Sequence, residues 1–294
     1  ADDSSLQSRP GPGVEDGVNY LVQSCTVHSD VSVSSGQTLK ISKGPAVALD
    51  TEIILDRRKG HDNGGCNANG HCGGTPVGVG RHFRVSTGGK LELTRLTFIG
   101  GNYRGSGNGG FLELSGGEAV LTECILANNM ASHGGAIAIY SNAKLSCNGC
   151  SLINNAAKMG GSGGTGGGLY ISNGEANFID SVITGSKAMT YANGLVPYGP
   201  AIAIYGDSSV VKMYDSDIYG NLGRPPIFMH TNVAFDSLTL INMRELQSNL
   251  IEGDSNRATS CSSGPNTCKD NGFWDPCTQI TPDFTCSTAL GVDT

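Results

Sequence analysis

From Phe83 to Asn242 the chain repeats one arrangement of apolar and polar positions in segments starting at Phe83, Asn108, His133, Gly166, Tyr198 and Arg224. Each segment holds a small-residue corner, a short alternating apolar run, a Gly/Asn/Ser turn, a second run and a closing Asn or Ser. The phrase HGGAIAIY (133–140) even returns as YGPAIAIY (198–205). Within the runs the apolar residues recur with period two: Leu112 and Leu114, Ile137 and Ile139, Leu169 and Ile171, Ile202 and Ile204. That is the spacing of a strand, not a helix. A sandwich does not require successive units to match at fixed positions. A solenoid does, because each turn stacks on its neighbour at about 4.8 Å. The pattern therefore predicts an all-β fold, a single-stranded right-handed parallel β-helix, with the eight residues just named stacked inward. Ala136 and Ala138 are expected to point outward or to fill a narrow corner, and the glycine pair before them to turn the chain with positive φ.

Aligned in this way, the segments produce two polar columns. The closing residues Asn102, Asn129, Asn155, Ser186, Asn221 and Asn242 are expected to form an asparagine ladder, amide to amide along the stack. The second column holds Glu123, Gly149, Asp180, Asp215 and Asp236, with Asp217 beside it. Stacked acids of this kind suit calcium or paired-carboxylate glycosidase chemistry, but a solvated acidic edge has the same pattern. The candidate catalytic set is Glu123, Asp180, Asp215 and Asp217, with Arg84 and Arg95 as a weak clamp.

GGAI at 134–137 followed by LINN at 152–155, with looser copies in GGFL/ILANN, GGGL and GPAI/DIYGN, resembles the paired GGA[ILV] and FxxN motifs of chlamydial polymorphic outer-membrane proteins. The resemblance covers roughly residues 83 to 243 and implies a β-helical passenger used in adhesion or surface display. The Phe of FxxN is mostly Ile or Leu here, and the chain has no β-barrel translocator region.

Composition changes this picture little. Glycine supplies 44 of 294 residues and charged residues 15%, without a collagen period, and 38% hydrophobic residues argue against disorder. A net charge of −7 argues against nucleic-acid partners, and no apolar run reaches the length of a membrane span. The start ADDSSL is consistent with a secretory leader already removed. Ten cysteines point to an oxidising, extracellular setting: Cys25, Cys66, Cys72, Cys124, Cys147, Cys150, Cys261, Cys268, Cys277 and Cys286. Cys124 aligns one rung from Cys150, within disulfide reach, and Cys147–Cys150 is the rival pairing. In GHDNGGCNANGHCGG (60–74) a Cys66–Cys72 disulfide is favoured over zinc held with His61 and His71. Neither a metal nor a cofactor is expected.

The chain divides into an arm (1–18), the β-helix (19–243) and a disulfide-rich C-terminal extension (244–294), with Cys261–Cys268 and Cys277–Cys286 as its simplest pairing. Arm and tail are expected to contact neighbouring subunits, so that head-to-tail contacts build a filament, hair or sheath. No N-x-S/T sequon occurs. The expected function is a non-enzymatic extracellular structural or adhesive protein that self-assembles and contacts a cell-surface protein or polysaccharide. The alternative is a polysaccharide lyase or epimerase, since such folds host both classes.

Overall fold

The computed structural model describes residues 6–7, 17–27, 30–48, 50–57, 80–103, 107–158, 164–189, 198–222, 225–230, 237–241, 243, 245–246 and 251–253. Most of the C-terminal extension and of the arm, and Cys66, Cys72, Cys261, Cys268, Cys277, Cys286, His61, His71, Asp236 and Asn242 lie outside the described residues, as do the pairings expected for them. Within the extension, Glu245–Leu246 and Ile251–Gly253 continue the parallel pairing of the stack.

Among the described residues the fold is all-β and contains no α-helix. Its strands form one 15-stranded, one 8-stranded and one 3-stranded sheet. Apart from the pairing of Leu6–Gln7 with Asn19–Leu21, every strand pairing is parallel, and each joins one segment of the repeat to the next. This architecture is compatible with a β-helix or solenoid, and each repeat is a rung of the stack. The large sheet takes two strands from each rung, such as Leu112–Ser115 and Glu118–Thr122. In two rungs these merge into the single strands Ile137–Asn148 and Leu169–Ile179. The second sheet takes a three-residue strand per rung, including Thr97–Ile99, Ile125–Ala127, Ser151–Ile153, Val182–Thr184 and Asp217–Tyr219.

The inward rows follow from the period-two pattern. Leu112 pairs with Ile137, Ile137 with Leu169 and Leu169 with Ile202, while Leu114, Ile139, Ile171 and Ile204 form the row beside them. All eight are fully buried. The second sheet contributes the middle residue of each strand, so Leu55, Phe98, Leu126, Leu152, Ile183 and Ile218 line the opposite wall. The second strands of the large sheet alternate charge on their outer side, with Lys90, Glu118, Lys144 and Glu175 on successive rungs. Opposite charges directly across a strand pair are the favourable arrangement.

In HGGAIAIY only the first glycine of the pair has positive φ. Gly134 has φ +61°, and a Cβ there would lie 2.0 Å from the Ile137 carbonyl oxygen. Gly135 is required for a different reason, because a Cβ would lie 2.3 Å from the Gly167 carbonyl oxygen of the next rung.

The closing column is an asparagine ladder with one member displaced. Asn129 Oδ1 accepts from Gly101 N at 2.9 Å, Asn155 Oδ1 from Asn129 N at 3.0 Å, and Asn221 Oδ1 from Ser186 N at 3.0 Å. The Asn129, Asn155 and Asn221 amides donate to the carbonyls of Phe98, Leu126 and Ile183, and Asn129 Nδ2 also donates to Asn155 Oδ1 at 3.1 Å. The first rung places Gly101 in the ladder, not Asn102. Asn102 sits one residue further on and is bridged to Met130 and Gly80. In the Gly100-Gly101 doublet the first residue takes positive φ, as Asn128, Asn154, Gly185 and Gly220 do on later rungs, and this sets the register. Asn129→Ala removes the acceptor for Gly101 N and the donor to Phe98 O, both buried. It is expected to lower the unfolding free energy by about 1–3 kcal/mol, read from urea midpoints.

Candidate functional site

The six residues singled out for catalysis fall in separate places. Arg95, Glu123, Asp180 and Asp215 occupy one corner on successive rungs, and all have positive φ, from 47° to 57°. Gly149 fills the same position with φ 65°. Each is followed by an inward residue, in turn Leu96, Cys124, Cys150, Ser181 and Ser216, all buried. The left-handed conformation admits Gly most readily and Asp or Asn next, so backbone geometry accounts for much of the acidic column. Arg95 and Glu123 form an exposed fork, Nε–Oε2 2.7 Å and Nη2–Oε1 3.4 Å, and the hydrogen bond from Arg95 holds the Glu123 carboxyl below its ordinary range. An exposed pair of this kind stabilises by at most about 1 kcal/mol. Asp217 lies on the second sheet, in register with Val182 and Glu245. Arg84 belongs to another face, where its Nε lies 3.2 Å from Glu113 Oε1.

No disulfide occurs among the described residues, and Cys25, Cys124, Cys147 and Cys150 are free thiols. Cys124 and Cys150 belong to the corner column, and Cys147 hydrogen-bonds Cys150 as a thiol. Cys124 Sγ turns to the Thr122 carbonyl and Cys150 Sγ to the Asn148 carbonyl, at 3.4 and 3.9 Å. Ser181 and Ser216 make the same contact two residues back, at 2.8 and 2.7 Å. Cys and Ser are thus interchangeable members of a second ladder, which Cys150 N and Ser181 N join by donating to the next rung's hydroxyl, each at 3.1 Å. Burial pushes the Cys124 thiol up to about 12 and raises that of Cys147 as well, while the hydrogen bond from Cys147 lowers that of Cys150. Among the described residues no group of His, Cys, Asp and Glu is placed to hold a metal ion.

The surface with the richest chemistry is the outer side of the repeated phrase. Along one outward row the register runs Arg84, Glu113, Ala138, Tyr170, Ala203, Phe228. The adjacent row runs Ser86, Ser115, Tyr140, Ser172, Tyr205. A third runs Asn108, His133, Thr165, Tyr198. Large and small residues alternate like a chequerboard, so each ring leans over the small residue of the neighbouring rung. The rings form one continuous ribbon. Tyr140–Tyr170, Tyr170–Tyr205 and Tyr205–Phe228 have centroids 5.5, 5.2 and 5.6 Å apart. His133 joins at Tyr170 (5.1 Å), His230 at Tyr205 (4.9 Å) and Tyr198 at Phe228 (4.3 Å).

Offset aromatic contacts of this size contribute about 0.5–1.5 kcal/mol each beyond area burial. Ala138 and Ala203 are fully buried although they point outward, as expected beneath such rings. Burial raises the Tyr140 hydroxyl well above its ordinary range and depresses His133. His133 Nδ1 shares a 2.7 Å hydrogen bond with Thr165 Oγ1.

HGGAIAIY and YGPAIAIY therefore have a second use besides the inward stack. Both supply an outward Ala and Tyr, two rungs apart, with GGGLYIS between them to fill the gaps. The signal lies in the aligned repeats as Ala138, Tyr170, Ala203 and Phe228 in one column, which period-two reading of the inward residues passes over.

Fold and face define the class: an all-β stack of parallel strands bearing one aromatic face. Comparison of the chain with protein-family models, curated proteins and solved structures finds no match.

Proposed function

We propose that the chain is a non-enzymatic structural or adhesive protein of the cell exterior, a right-handed single-stranded parallel β-helix whose ring-bearing face holds an extended polysaccharide. The observation that carries this reading is the aromatic ribbon. The partly exposed faces of Tyr140, Tyr170, Tyr198 and Tyr205 supply apolar surface for the C–H faces of sugars at the spacing of the rungs. Apolar rings with a few placed polar groups are the usual composition of a ligand site. From His133 to His230 the three outward rows carry no carboxylate, which favours holding a polymer over cleaving it. Assembly through the arm and tail belongs to the same proposal, and filaments in negative stain of native material are its expected result.

The test is cosedimentation with insoluble polysaccharides, followed by titration with soluble hexopyranose oligosaccharides while tyrosine emission is recorded. Saturable binding without new reducing or unsaturated ends is expected. Release of such ends would transfer the face to the lyase or epimerase reading, and no binding to any polymer would overturn the polysaccharide assignment.

A further inference from the structure

Arg57 and Arg81 have side chains only 6% and 5% exposed, and they meet where the first rungs of the outward face begin. Gly80 makes the room, since a Cβ there would lie 1.9 Å from Arg57 Nη2 and 2.5 Å from Asp30 Oδ1. Arg57 Nη2 donates to Asp30 Oδ1 at 2.7 Å. Arg81 Nη1 donates to Glu113 Oε2, and its guanidinium carbon stands 4.2 Å from the centre of the Tyr103 ring. Arg81 Nε is 3.6 Å from Asp30 Oδ2, beyond a hydrogen bond.

Two buried donors in this cluster, Arg57 Nη1 and Arg81 Nε, have no hydrogen-bond partner. Arginine does not shed its proton in a protein, and a buried donor without an acceptor is rare and costly. The carboxylates nearby are Asp30, Glu113 and, toward His82, Asp56, so unmet donors define the cluster rather than excess positive charge.

We propose that Arg57 and Arg81 form a binding site for a compact oxyanion, a sulfate or carboxylate group, with Tyr103 as its aromatic wall. An oxyanion carries several oxygens on one centre, the acceptor chemistry that unmet guanidinium donors take up in charge-assisted bonds. The site stands apart from the polysaccharide reading, because inorganic sulfate tests it whatever the ribbon holds.

Isothermal titration of the full chain with sodium sulfate and with sodium acetate, at constant ionic strength, is expected to give a one-site isotherm for at least one of them. Arg57→Lys retains a cation for Asp30 but lacks Nη1, and it is expected to weaken binding by about tenfold or more, the effect of one lost charge-assisted bond. Arg95→Gln, on a distant corner, is expected to leave the affinity unchanged. Should Arg57→Lys fail to fold, amide exchange at residues 80–84 of the unaltered chain is measured instead, and slowing by the anion is expected. A sulfated oligosaccharide compared with its desulfated form and with free sulfate distinguishes a sugar-borne group from a free ion. No isotherm with either anion, or equal affinity in Arg57→Lys, would overturn the assignment.

Discussion

Phe98→Ala is expected to lower the unfolding free energy by about 3–5 kcal/mol, the range for deleting a fully buried phenylalanine. Phe98 is the middle residue of Thr97–Ile99, wedged in register between Leu55 and Leu126 on the rungs either side. Its ring centroid lies 4.7 Å from that of Phe111, 5.6 Å from Phe83 and 5.5 Å from His82. These four rings fill the interior where the two large sheets face one another, and small residues occupy the Phe111 position on later rungs, beginning with Ala136. No neighbour can collapse into the gap, because every backbone in the wall is fixed by ladder bonds on both sides. In a stack each rung is stabilised mainly by its neighbours, so the damage is also expected to separate unfolding of the first rungs from the rest. A biphasic urea curve for the variant, against a steeper single transition for the unaltered chain, is the measurement.

The second large effect is a loss of stability in mild acid, centred on His82. This side chain is completely buried, with Nε2 3.2 Å from the Leu55 carbonyl oxygen. Burial, helped by the nearby Arg57 charge and opposed by Asp56, depresses its pKa from 6.5 to about 4. The sign follows from proton counting. Between about pH 6.5 and 4 the unfolded chain holds a proton on this imidazole and the folded chain does not, so stability falls as pH falls through that window. Above pH 6.5 the contribution is constant, and below about 4 the full penalty has accumulated. The difference between 6.5 and about 4 corresponds to about 3 kcal/mol. His82→Leu loses the bond to Leu55 O and is expected to be slightly less stable at neutral pH. Its stability is expected to decline less between pH 7 and 4 by that same amount. His133, depressed in the same direction by burial, contributes equally to both proteins, so the difference between their urea midpoints isolates His82.

Much of the fold was legible because the inward rows obey a period of two, and Ile137 and Ile139 declare their face without help. The closing asparagines were legible too, since three polar residues at one position of successive repeats need partners that strands do not provide. What was not legible was the backbone state behind a residue type. Glu123, Asp180 and Asp215 looked like chemistry, yet Arg95 and Gly149 share their position, a mixture that suits a left-handed corner better than an active centre. Asn102 misled for a related reason: either member of a Gly-Gly-Asn run can be read as the ladder residue until the positive φ of Gly100 fixes the register. Cys124 and Cys150 suggested a staple by spacing, but spacing says nothing about side-chain direction, and Ser181 and Ser216 in the same column were the available clue. The aromatic ribbon was the least legible feature of all. Outward positions of a sheet are ordinarily free to vary, whereas here the alternation of Ala138, Tyr170, Ala203 and Phe228 is as regular as the core.

The central claim is that the outward rings, not the corner acids, carry the function. Its most direct measurement compares two double variants for binding to the polysaccharide that the unaltered chain retains. Tyr170→Ala with Tyr205→Ala removes the middle of the ribbon. Asp180→Asn with Asp215→Asn removes two corner charges while keeping residues that tolerate positive φ. Truncating central aromatic contacts typically costs at least about 2 kcal/mol at an interface, so the tyrosine variant is expected to bind more than about tenfold more weakly. The aspartate variant is expected to match the unaltered chain. Loss of binding in the aspartate variant, with the tyrosine variant unaffected, would contradict the account.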